Sequence, residues 1–267
     1  MIPLPDEEEP AIDRCHRIDA TTRDANPSDN ADPHPPCAPE RCRDTAPPPP
    51  HSDPSALILA GIRQAAQAYF HQARGSHDWD HTLRVLRLCR HIARTEGADP
   101  LVTEAAAYLH DIGRADQDRA GGRLCHAETG AALARDILKG YPLTEACREN
   151  IIHCIAAHRF RRGVAPQTLE ARVLFDADKL DAIGAVGVAR AFLFAGELGA
   201  RLHSPEVDVT RAAAYSIDDT GYREYVVKLS KIRERILTPT GRRLADARHR
   251  FMTHFFDRFL EEYEGER

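Results

Sequence analysis

From Ser55 to the C-terminus, apolar residues recur at three- and four-residue spacing, and no convincing run alternates like a half-buried strand. That periodicity restricts the chain to an all-α fold. Glycine and proline punctuate it at Gly75-Ser76, Gly97, Gly113, Gly121-Gly122, Gly140-Tyr141-Pro142, Gly163 and Pro166. The pattern predicts helices over about 55–73, 77–96, 99–112, 126–139, 144–159, 168–182, 184–196, 218–237 and 239–263. Residues 197–217 are less regular, the segment 114–125 carries no readable motif, and no internal repeat is found.

The first 54 residues are different. They hold 13 of the 18 prolines and few large apolar side chains, too few to offset the entropy of ordering. The expected organisation is a disordered Pro-rich N-terminal tail, 1–54, followed by one domain, 55–267. Cys37, Cys42, His34 and His51 in the tail match no structural zinc spacing. A net charge of −5 gives no nucleic-acid footprint, and no run reaches the roughly 18 apolar residues that span a bilayer. The acidic N-terminus is unlike a secretory signal. Seven cysteines without a C-x-x-C pair suit reduced thiols, so a cytoplasmic location is expected.

Within the domain, His110-Asp111 closes the apolar run Ala105-Ala106-Ala107-Tyr108-Leu109. A charged pair is costly to bury there unless a cation compensates it. Four further polar residues face inward by helical spacing. His81 shares a stripe with Val85, Cys89 and Ile92; His126 lies above Gly130, Leu133 and Ile137; His158 follows Cys154 and Ile155; Asp178 follows Leu174 and Phe175. One inward histidine is usually a satisfied core residue. Four with two carboxylates point to a shared divalent metal, which relieves every desolvation cost together. His77, four residues before His81, is expected to line the pocket or orient a ligand, with Ser76 as N-cap. His91, His203, His249 and His254 read as surface or packing residues. Asp176 reads as outward or supporting, and it competes with Asp178 if the register slips.

On these residues the chain resembles the HD superfamily of metal-dependent phosphohydrolases. The family's order of a histidine, His-Asp and a late aspartate falls on His81, His110-Asp111 and Asp178 (in DADKLDAIG). The two histidines of two-metal members fall on His126 (in HAETGAALARDIL) and His158 (in AAHRF). Residues 55–264 are similar throughout, most to the small stand-alone branch that includes nucleotide pyrophosphohydrolases. The resemblance implies a helical bundle and an enzyme with one or two divalent ions. Ligands without thiolate suit Mn, Mg, Fe, Co, Ni or Zn. One ion would take His81, His110, Asp111 and Asp178; a second would take His126 and His158, with Asp111 bridging. Arg114 stands where deoxynucleoside monophosphatases of the superfamily carry Glu. Ile112-Gly113-Arg114-Ala115 lacks the acidic pair of alarmone hydrolases, and Arg159-Phe160-Arg161-Arg162-Gly163 replaces the Gly-Tyr-Pro of the cyclic-di-GMP branch.

The expected activity is hydrolysis of phosphate esters or anhydrides, with nucleotides first and a nucleoside triphosphate split to monophosphate and pyrophosphate as the concrete form. Asp111, Asp178 and Lys179 are the expected catalytic residues. His77, Arg84, Lys228 and Arg248 are the expected substrate contacts, with Arg114 and Arg159 as further cationic candidates. Asp181 is read as a supporting or capping residue. The expected partner is a small-molecule phosphate, with no nucleic-acid polymer and no membrane; a homo-oligomer stays open. Two alternatives remain from the same ligand set: a di-iron oxygenase and a non-enzymatic regulatory module.

Overall fold

Seven of the ten α-helices among the described residues begin at a side chain that closes the first turn. Asp53, Asp78 and Asp99 accept from backbone N–H groups at the starts of α1 (Pro54–Gln67), α2 (Trp79–Glu96) and α3 (Pro100–Leu109). Thr144, Thr168, Thr220 and Thr238 do the same for α6 (Glu145–Ala157), α7 (Leu169–Asp181), α9 (Gly221–Val227) and α10 (Pro239–Tyr263). Pro54, Pro100 and Pro239 occupy first-turn positions, where a missing N–H costs nothing. The remaining helices are α4 (Arg114–Arg119), α5 (His126–Leu138) and α8 (Gly184–Glu197). The computed structural model describes residues 53–70, 78–120, 123–159 and 164–267, and among them there is no strand. The all-α reading stands.

Several boundaries are corrected. The proposed tail lies outside the described residues except for Asp53 and Pro54, which already open α1. α2 is capped by Asp78, whose carboxylate accepts from the His81 N–H at 2.9 Å; Ser76 and His77 lie outside the described residues. α3 stops at Leu109, so the dyad sits at a helix end and in the turn after it. The motif-free segment 114–125 contains α4, too short to show a hydrophobic period. The single helix expected over 218–237 is broken at Lys228 (φ −135°, ψ −56°) into α9 and two 3₁₀ turns, Leu229–Lys231 and Arg233–Arg235. Three-residue spacing of buried Leu229 and Ile232 suits the tighter turn. Beyond it, Asp176 of α7 draws in the chain, accepting from the N–H groups of Leu237 (2.8 Å) and Thr238 (2.7 Å) and from the Thr238 hydroxyl (2.6 Å).

Helix α3 is central, with Ala105 through Leu109 all buried, and it packs on α1, α2, α6 and α7. α5 packs on α6. On the far side, α8, α9 and α10 meet through rings: Tyr225 stacks on Phe256 at 4.3 Å between centroids, and Phe192 meets Phe256 and Phe259. His203 belongs to this layer, with its ring edge-on to Tyr222 and Tyr263. No helix among the described residues is long and apolar enough to cross a membrane.

Candidate metal centre

The ends of α3 and α6, the first turns of α2 and α5, and the last turn of α7 bring the six sequence-selected ligands together. His81, His110 and Asp178 form one triad and Asp111, His126 and His158 a second, each with ligand atoms within 4.8 Å of one another. Asp111 lies between them. Its Oδ2 is 3.7 Å from the Nε2 atoms of both His81 and His110. Its Oδ1 is 3.4 Å from His126 Nε2 and 3.7 Å from His158 Nε2. One carboxylate thus presents one oxygen to each triad.

Each imidazole has its Nδ1 occupied from behind. His110 Nδ1–H donates to the Ala107 carbonyl at 2.8 Å, and His158 Nδ1–H to the Ile155 carbonyl at 2.7 Å. Both acceptors are last-turn carbonyls, left over because a helix has no further N–H to offer them. His81 Nδ1–H donates to Asp181 Oδ2 at 2.8 Å and His126 Nδ1–H to Gln117 Oε1 at 2.5 Å. With Nδ1 protonated, a neutral ring turns the lone pair of Nε2 inward. The Nε2 atoms of His81 and His110 are 3.3 Å apart, and those of His126 and His158 are 3.1 Å apart. Facing lone pairs repel at that range, and where His81 Nε2 holds a proton a cation would take that proton's place. Two nitrogens each about 2.1 Å from one ion stand about 3.0–3.4 Å apart, so the donor set fits a cation in each triad.

Burial and charge divide the ligands. The side chains of His81, His110, Asp111, His126 and His158 are 2 % exposed or less, while Asp178 is 19 % exposed, so solvent reaches the centre beside Asp178. Burial alone would lower His81, but hydrogen bonds to Asp178 and Asp181 and the charges of Asp178 and Asp111 outweigh it and raise its pKa to about 9. His110 is lowered to about 4, first by burial, with Asp111 opposing. His126 is lowered to about 2 by burial; His158, Arg114 and Arg159 add to the shift, and Asp111 opposes it. Burial opposes ionisation of Asp178, yet Lys179 and His81 hold it well below the usual carboxylate range. Asp181 follows the same balance, held at about 2 against burial by His81 and Arg84.

The cationic candidates have protein partners. Lys179 Nζ donates to Asp178 Oδ2 at 2.8 Å and to the His158 carbonyl at 3.3 Å, and lies 4.8 Å above the Phe175 ring. Arg84 grips both oxygens of Asp181 at 2.8 and 3.1 Å. Arg248 donates to the Leu180 carbonyl, and its stem covers Gly184. Lys228 pairs with Glu224 one turn back on α9 and is 54 % exposed, so its polar contact lies on the surface. Arg114 Nη2 lies 3.2 and 3.3 Å from the two oxygens of Asp111. Asp176 is corrected: it is fully buried and faces the start of α10, and burial raises its pKa against the Thr238 and Leu237 hydrogen bonds.

Two contributors escaped sequence reasoning. Gln117 lies on α4, whose single turn and a half shows no period. Arg190 donates to Asp181 Oδ2 at 2.8 Å from the otherwise apolar helix α8, and a lone cation in such a run is the signal that could have found it. One further contact sets the spacing of the triads. A Cβ at Gly113 would meet the His126 carbonyl oxygen at 2.4 Å and the Gly130 nitrogen at 2.6 Å. The turn after the dyad therefore lies directly on the backbone of α5.

The HD-domain family model matches residues 78–183, which contain all six ligands. The chain belongs to the HD superfamily. It is 33 % identical to YpgQ, an uncharacterized protein of Bacillus subtilis, over 76 % of this chain and 93 % of that one. The crystal structure of YpgQ in complex with ADP, 30 % identical, matches with a TM-score of 0.62 over 79 % of this chain and 96 % of that one. A predicted HD superfamily hydrolase from an uncultured Thermotogales bacterium, 29 % identical, matches with a TM-score of 0.56 over 77 % and 92 %. Ribonuclease Y of Thermoanaerobacter pseudethanolicus is 35 % identical over 45 % of this chain but only 22 % of its own length.

Proposed function

We propose that this protein is a metal-dependent hydrolase of phosphate esters or anhydrides, and that it takes nucleotides, splitting a nucleoside triphosphate to monophosphate and pyrophosphate. The observation that carries the reading is the convergence of four inward Nε2 atoms and two carboxylates on one buried centre, with Asp178 its one partly exposed ligand. His81, His110 and Asp178 would hold one ion and His126 and His158 a second, with Asp111 available to either. A divalent ion there supplies a water that loses its proton near neutral pH and positive charge opposite the phosphoryl oxygens.

The protein's own groups do the rest. Asp178 is the carboxylate placed to accept the proton of the attacking water, because it alone of the ligands is open to solvent. Water adds to phosphorus, the bond to the leaving oxygen breaks, and the charge released there meets Lys179 or solvent. Asp181, clamped by Arg84 and Arg190, keeps the His81 ring from turning. Binding of ADP by YpgQ supports the nucleotide class.

The test is a screen of the metal-stripped protein reloaded with Mn, Mg, Fe, Co, Ni or Zn. Substrates are ribo- and deoxyribonucleoside triphosphates, p-nitrophenyl phosphate and a short single-stranded RNA, with products separated by chromatography. Pyrophosphate and monophosphate in equal amounts are expected. Turnover that survives chelation or His110→Ala would overturn the metal reading, and cleavage of RNA alone would move the substrate to a phosphodiester.

A further inference from the structure

The two triads are built from unequal parts. The first contains an anionic ligand of its own, Asp178, and its His81 is backed by the carboxylate of Asp181. The second has two neutral imidazoles, and its sole anion is Asp111, which it shares with the first. Its His126 is backed not by a carboxylate but by the amide oxygen of Gln117. That oxygen accepts from His126 Nδ1–H at 2.5 Å, from the His126 backbone N–H at 3.3 Å and from Arg159 Nη1 at 3.4 Å.

The cations differ in place as well as number. Around the first triad, Lys179 lies on Asp178, and Arg84 and Arg190 lie on Asp181, so each positive group faces a negative one. Around the second, Arg114 lies on the shared Asp111, and Arg159 reaches the neutral pair Gln117 and His126, its Nη1 3.5 Å from His126 Nδ1. A carboxylate behind a ligating histidine strengthens the nitrogen's donation, whereas an amide oxygen shared with a guanidinium does so weakly. Two guanidiniums beside an incoming divalent ion also repel it in a poorly screened interior.

Building on the metal reading above, we infer that the centre is lopsided: His81, His110, Asp111 and Asp178 bind one ion tightly, and the Asp111–His126–His158 triad binds its ion weakly until a phosphate oxyanion joins it, with Gln117 setting that weakness. Arg114 and Arg159, unfavourable to a lone cation, become favourable once the oxyanion arrives, because each can pair with its oxygens. Gln117 is a positioning residue: it acts through His126.

Manganese binding to the metal-stripped full chain tests this, read by calorimetry and by the electron paramagnetic resonance of bound Mn. In phosphate-free buffer one tight ion per chain is expected, with a second at least about tenfold weaker. Inorganic phosphate should strengthen the second step and produce the exchange-coupled spectrum of two neighbouring Mn ions, leaving the first step unchanged. Gln117→Glu should bring the second ion in without phosphate, and Gln117→Leu should weaken it further. Two equally tight ions without phosphate, or a Gln117→Glu protein whose two affinities keep their ratio, would overturn the inference. Absence of any tight ion would instead overturn the metal reading itself.

Discussion

The centre at the end of α3 is buried and the aromatic layer between α8, α9 and α10 is partly so, around a buried Phe256, and the two leave water for opposite reasons. Phe192, Phe256 and Phe259 gain by leaving water and have no hydrogen bond to lose, while Tyr225 keeps one to the Thr253 hydroxyl. His81, His110, Asp111, His126 and His158 gain nothing from burial as such; each is kept there by a particular acceptor or neighbour. The layer holds the fold and the centre draws on that stability. Substitutions should therefore separate activity from stability according to which region they touch.

The largest effect is expected at the shared ligand. Asp111→Ala should lower kcat/KM by about 1000-fold or more, the equivalent of several kcal/mol of lost charge stabilisation. The melting temperature of the metal-free protein should fall little or even rise, and a large fall would erase the contrast between the regions. In the layer, Phe256→Ala should cost about 3–5 kcal/mol in chemical denaturation, while the protein still folded binds metal with unchanged stoichiometry. Altered stoichiometry would show that the layer also shapes the centre. Asp181→Asn removes the charge behind His81 while keeping the size, and should weaken the first ion by about 10- to 100-fold in a competition titration.

A gentler test uses pH on the metal-free protein. His81, raised to about 9 in the fold, contributes stability that is fully present below its unfolded value near 6.5 and is lost as pH climbs toward 9. His110, lowered to about 4, and His126, lowered to about 2, act in the opposite sense. Below about 6.5 the unfolded chain takes up protons that the fold refuses, so stability declines as pH falls. Denaturation midpoints should peak near pH 6.5 without metal, and bound metal should flatten the alkaline side by replacing the His81 proton. A midpoint that rises steadily through pH 8 would contradict the charge arrangement around His81.

The ligands were legible because each combines a rare residue type with a helical face, and a face is what three- and four-residue spacing encodes. The structure brings all six together. Asp176 misled the same logic: α7 is buried on two sides, so a residue turned away from the metal faces the start of α10 rather than water. Gln117 was invisible because a helix of six residues has no period to read. The turn into α10 was hidden for a third reason. It is held by Asp176, 61 residues before Leu237 and 62 before Thr238, and no local pattern in 218–237 announces those hydrogen bonds.

The contact at Gly113 has a consequence for chemistry. Because the turn after the dyad rests on the main chain of α5, the separation of the two triads is a backbone dimension, fixed like the gap of a caliper. Exchanging a ligand alters how strongly an ion is gripped. A side chain at position 113 would instead push His126 and its helix away from the dyad, keeping every ligand's chemistry but changing the span of phosphoryl oxygens that could bridge the jaws.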